Sequence, residues 1–67
     1  MEFKIFEAQH GGRRFKIEES TPEVGFYLWV FEGEKDIADH LQDTLEICKK
    51  QALENYGVPL NSWIQIS

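Results

Sequence analysis

Two early segments of the chain mix apolar and polar residues as strands do, and the second alternates cleanly. Residues 2–8, Glu-Phe-Lys-Ile-Phe-Glu-Ala, and residues 13–18, Arg-Arg-Phe-Lys-Ile-Glu, read as strands, the second with Phe15 and Ile17 on one face. Between them His10-Gly11-Gly12 signals a turn, because glycine enters positive φ without strain. The pair predicts a hairpin whose register stays open. A two-residue Gly-Gly turn sets Ala8 and Phe6 opposite Phe15 and Ile17, whereas a three-residue loop sets Ile5 and Phe3 there. A one-residue slip turns every side chain to the other face, and the first strand is apolar on both.

Pro22, in Ser20-Thr21-Pro22-Glu23, cannot donate to a ladder and ends the second strand. Phe26-Tyr27-Leu28-Trp29-Val30-Phe31 is the strongest strand signal, apolar on both faces. Glu32-Gly33-Glu34-Lys35 is a second turn. With Gly33 and Glu34 at its centre, Val30 meets Ile37 and Phe26 meets Leu41 on a core face. Trp29 then meets Ala38, and Tyr27 meets His40, on the opposite face. This pairing carries a cost, since it sets Asp39 opposite Leu28 on the core face. A competing reading extends the following helix back to Asp36, because Ile37, Leu41, Leu45, Cys48 and Ala52 also follow helical spacing. The hairpin is the preferred reading of residues 36–42.

Asp43-Thr44-Leu45-Glu46 is a capping signal: an aspartate accepts a backbone hydrogen bond and a glutamate three residues later reaches back. It predicts a helix from Thr44 to Tyr56, stopped by Gly57 and Pro59, with Val58 making the accompanying contact. Leu45, Cys48, Ala52, Leu53 and Tyr56 form its apolar stripe, and Ile47 projects on the polar side. The tail, Leu60 to Ser67, carries Trp63, Ile64 and Ile66 and is expected to pack as a short strand or turn. Together these elements predict one α+β domain over residues 1–67. It holds an antiparallel sheet of three to four strands, with one C-terminal helix on one face and a possible short terminal strand.

Composition sharpens this picture. A domain of 67 residues has a small core. Its single cysteine, Cys48, allows no intrachain disulfide, and no Cys/His zinc spacing is present. The core therefore rests on apolar side chains, 42% of the residues, including five Phe, two Tyr and two Trp. The lone cysteine fits a reducing compartment. No signal-peptide pattern or membrane-length apolar run is visible, so a cytoplasmic location and no membrane partner are expected.

The net charge of −5 disfavours nucleic acid as a partner. Arg13, Arg14 and Lys16 form a local basic cluster, read first as a solvated strand face. Tyr27, Trp29 and Phe31 alternate on one strand face, where rings stack bases in some RNA-binding sheets and form a second core layer or a protein interface in others. Asp36, Asp39, His40 and Asp43 could in principle hold a divalent cation, or set His40 up as a base. Turn, strand and helix-cap roles account for them more simply. Cys48 lies on the buried stripe and reads as a core residue. Ile47 with Trp63 would form a small apolar patch.

The segment Asp39-His40-Leu41-Gln42-Asp43-Thr44-Leu45-Glu46, with Gln51-Ala52 and Tyr56-Gly57-Val58-Pro59-Leu60-Asn61-Ser62-Trp63, resembles a group of small uncharacterised bacterial proteins. They share an aromatic strand, D-H-L-Q-D-T-L-E and G-V-P-x-x-x-W. That resemblance covers residues 26–63 and implies no activity. Gly11-Gly12 and Asp43-Thr44-Leu45-Glu46 are more weakly similar to HicB-type antitoxin domains. The Pro and Gly-Cys segment of that family and its DNA-binding region have no counterpart here. The expectation is a non-enzymatic module without cofactor or metal, acting through a protein partner or self-association. Its candidate contacts are Tyr27, Trp29, Phe31, His40, Ile47 and Trp63. A nucleic-acid-binding module using Arg13, Arg14, Lys16 and the sheet rings is the alternative, and a metal-assisted hydrolase using residues 36–43 is the last.

Overall fold

The structure, a computed structural model, describes residues 3–21 and 23–67. The expected strand residue Glu2 and the strand-ending Pro22 lie outside the described residues. Five strands, β1 (Ile5–His10), β2 (Arg13–Glu19), β3 (Phe26–Glu32), β4 (Lys35–Gln42) and β5 (Ile64–Gln65), form one open antiparallel sheet in the order β4-β3-β2-β1-β5. The helix α1 (Leu45–Tyr56) packs on one face. A single 3-10 turn, Leu60–Ser62, leads into β5. Among the described residues the sheet thus has five strands rather than three to four. The additional strand is the short terminal one, which pairs Glu7 with Ile64 and Phe6 with Gln65.

The first hairpin takes the two-residue Gly-Gly turn. Gly11 and Gly12 have φ of 60° and 79°, a conformation that most residues adopt only with strain. Phe6 therefore faces Ile17, and Ala8 faces Phe15. All four lie under the helix, and Phe15 and Ile17 are completely buried. β1 begins later than the pattern indicates, at Ile5, and runs on to His10.

Residues 36–42 are strand, but their expected pairing is wrong by one residue beyond Asp36. Phe31 pairs with Asp36 and Val30 with Ala38, so Ile37 is an extra residue, a β-bulge. Trp29 then pairs with Asp39, Leu28 with His40, Tyr27 with Leu41 and Phe26 with Gln42. The bulge removes the cost of the regular register. Without it Asp39 would be pressed against the helix, where an unpaired carboxylate is expensive. With it Asp39 reaches the uncovered face, and Ala38 and Gln42 turn toward the helix. There the Gln42 amide donates to Gln51 Oε1 at 2.7 Å. Ile37 and Leu41, expected in the core, are 42% and 50% exposed.

The helix starts one residue later than expected. Thr44 is the cap: its backbone is extended and its hydroxyl accepts from the Ile47 amide at 3.2 Å. Asp43 lies one residue before the cap and does not form the Asp43–Glu46 box. At the other end Gly57 takes the left-handed conformation and its amide donates to Leu53 O at 2.9 Å. This turns Val58 into the core, where it is fully buried.

Cys48 and Ala52 are buried, with Leu45 and Tyr56 packed beside them against Leu28, Val30, Phe15 and Ile17. The Tyr56 ring lies 5.5 Å from that of Phe15. Leu53 does not belong to the buried stripe. It sits a further 100° round the helix from Ala52, is 40% exposed, and shares a shallow depression with Leu60. No helix among the described residues is long and apolar enough to cross a membrane.

Candidate protein-binding face

The one helix covers one side of the sheet, so strand alternation decides what the other side presents. On β3, Leu28 and Val30 point under the helix and are fully buried. Tyr27, Trp29 and Phe31 point away from it. Each is half-buried by its neighbours and keeps part of its ring in solvent. The rings of Tyr27 and Trp29 stack at 5.7 Å with 27° between their planes. Cross-strand pairing aligns a second residue with each ring: Arg14 with Phe31, Lys16 with Trp29, and Glu18 with Tyr27 on β2. The Arg14 guanidinium lies 5.1 Å from the Phe31 ring centre, within cation–π range. On the other flank β4 supplies Asp36 beside Phe31, Asp39 beside Trp29 and Leu41 beside Tyr27.

The open face is therefore a row of rings between a β2 stripe carrying two cations and a β4 stripe carrying two carboxylates. With Glu7, paired to Lys16, and Glu18 added, four carboxylates oppose two cations among the described residues of this face.

The basic cluster is divided. Arg14 and Lys16 stand with the rings, but Arg13 points to the helix side. There its Nε donates to Glu32 at 3.2 Å, and its guanidinium lies 6.0 Å from the Tyr56 ring.

Three expected contact residues lie elsewhere. His40, expected opposite Tyr27, pairs with Leu28 on the helix side, because the bulge reverses its face. Its Nε2 is buried and unpartnered. Ile47 is exposed on the helix, in a depression with Gln42 and Gln51 at the β4 edge. Trp63 packs on the core just before β5, at the far edge of the sheet, with its indole nitrogen buried and unpartnered. The Ile47–Trp63 patch is thus not assembled.

Ile64 and Ile66, expected to pack with the tail and not counted among the candidate contacts, are 67% and 54% exposed beside Glu7 at the β5 edge. Their signal was present as the alternation Ile64-Gln65-Ile66, the period of a strand covered on one side only.

Alternation also disperses the acidic run. Asp36 and Asp39 face out, His40 faces the helix, and Asp43 precedes the cap. Among the described residues no group of three or more His, Cys, Asp or Glu is placed to hold a metal ion. Cys48 is fully buried, its Sγ 3.6 Å from the Phe26 carbonyl oxygen. Burial pushes its thiol up to about 11, which keeps it protonated and a poor nucleophile at neutral pH.

In comparisons with known proteins no family model matches the chain, and neither a curated protein nor a solved structure matches it.

Proposed function

We propose that the chain is a non-enzymatic protein-binding module whose contact surface is the uncovered face of the sheet. The observation that supports this is the ring row Tyr27-Trp29-Phe31 on that face, flanked by charge of both signs. Aromatic residues set among polar ones are the composition of protein interfaces, where rings contribute large contact area at low entropic cost. Paired charges at the margin give orientation and specificity rather than raw affinity. An antitoxin-like role would be one instance of such binding.

The test compares immobilised wild-type chain with Trp29→Asp in an extract of the source cells, after circular dichroism has shown both folded. Trp29 lies outside the helix-covered core, so its replacement leaves the packing between helix and sheet in place. Binding through this face predicts protein retained by the wild type and lost from the variant, or self-association lost in the same way. Equal retention by both, or neither retention nor self-association, removes the reading.

Nucleic-acid binding is kept as a second reading because Arg14 and Lys16 share the face with the rings. Four carboxylates on the same face oppose a polyanion. A shift of a single-stranded oligonucleotide at low salt, lost in Trp29→Asp, would favour it over the first.

A further inference from the structure

In two of the three rows across β2, β3 and β4 the charge pattern of the open face is self-complementary, and this points to one occupant; the third row sets Glu18 beside Tyr27 and Leu41. Trp29 lies at the middle of β3, with Lys16 on one side and Asp39 on the other. One row along, Phe31 lies between Arg14 and Asp36 in the same order. If two such faces meet across a two-fold axis parallel to β3, each β3 lies over its counterpart. The same rotation carries the β2 of each copy over the β4 of the other. Position along the strand is unchanged, so Lys16 of each copy meets Asp39 of the other, and Arg14 meets Asp36. The ring rows pack between them.

We propose that the module's partner on this face is a second copy of the chain, giving a two-fold symmetric dimer with helices outside and sheets inside. This rests on the reading of the open face as a protein-binding surface. Sheets stacked face to face lie about 10 Å apart and cross at about 30°, which inclines each β3 about 15° to the axis, so the central Lys16–Trp29–Asp39 row stays in register while the ends of the strands diverge. With the axis along β3 the contact spans β2, β3 and β4 and leaves β1 and β5 outside it. Three strands about 4.8 Å apart and about 23 Å long give a footprint of roughly 350 Å², below the roughly 800 Å² per partner of a standard interface and fitting a weak, reversible dimer. Isologous contact is the form that closes after two copies and leaves no second site for growth.

Analytical ultracentrifugation from micromolar to millimolar protein tests this with Lys16→Asp, Asp39→Lys and the double variant, each checked for fold by circular dichroism. The wild type should dimerise reversibly. Each single reversal replaces two symmetry-related attractions with two repulsions and should raise the dimer dissociation constant roughly tenfold or more. The double variant should return to within about threefold of the wild type, as charge exchange restores the pairing. The two single variants, each weakened alone, should dimerise when mixed, because each supplies the stripe the other lacks.

A wild type that stays monomeric at all concentrations overturns the second-copy proposal. If another protein is still retained in a Trp29-dependent manner, the protein-binding reading survives that result. A dimer indifferent to both reversals, such as one paired along the free β4 edge, overturns it as well.

Discussion

Gly25 occupies a position where two separate constraints exclude any side chain. Its φ is 106°, which L residues rarely adopt, and a Cβ placed there would stand 2.2 Å from the Gln42 carbonyl oxygen and 3.3 Å from the Asp43 Cα. Both neighbours are backbone, so no side chain can rotate away. The loop is tied on its other side, where Ser20 N donates to Gly25 O at 2.8 Å and Gly25 N to Thr21 O at 2.9 Å. Gly25→Ala therefore carries backbone strain of roughly 1–3 kcal/mol. Relieving the contact needs a shift of about an ångström in the segment joining β4 to the helix, an overpacking cost of roughly 1–3 kcal/mol more.

A total near 3 kcal/mol or above is large beside the roughly 3–10 kcal/mol expected for the stability of a domain of 67 residues. Urea unfolding followed by circular dichroism measures it. The internal control is Gly33→Ala, where φ is 64° but nothing lies within 4 Å of the added carbon. That change carries strain alone, about 1–2 kcal/mol. If the two variants lose equal stability, or Gly25→Ala stays within about 1 kcal/mol of the wild type, the close approach of these segments is not what the structure describes.

Two further outcomes are expected. Thr44→Ala should cost about 1 kcal/mol in urea unfolding, and Asp43→Ala only a few tenths, because Thr44 rather than Asp43 accepts the Ile47 amide; the reverse order would return the cap to Asp43. For Cys48 the folded thiol sits near 11 against an ordinary 9.0, so the unfolded chain ionises first. The stabilising contribution is full below pH 9.0 and is lost as pH rises through about 11. Unfolding measured at neutral and at strongly alkaline pH should show a steeper loss in the wild type than in Cys48→Ala, and parallel losses would contradict the burial argument.

The strands β1 to β3, the clean alternation of β2, the turns at Gly11-Gly12 and Gly33-Glu34, and the Gly57 stop were legible from the chain because each is a local preference. Period-two alternation, positive φ at glycine and the loss of helical geometry need no distant partner. The ring row was legible for the same reason, since Tyr27, Trp29 and Phe31 share a face in any strand. What lay beyond the sequence was set by contacts between segments far apart. The bulge at Ile37 spreads two residues against one, and nothing in Asp36-Ile37-Ala38 announces it. It is favoured because Asp39 must leave the face that a helix, formed later in the chain, covers. That single extra residue moved His40 under the helix and Leu41 out to the open face. The pairing of Ile64 and Gln65 with β1 likewise joins the two ends of the chain. Local chemistry chose the elements, and the need to hide one side of the sheet while keeping carboxylates wet chose which residues each face presents.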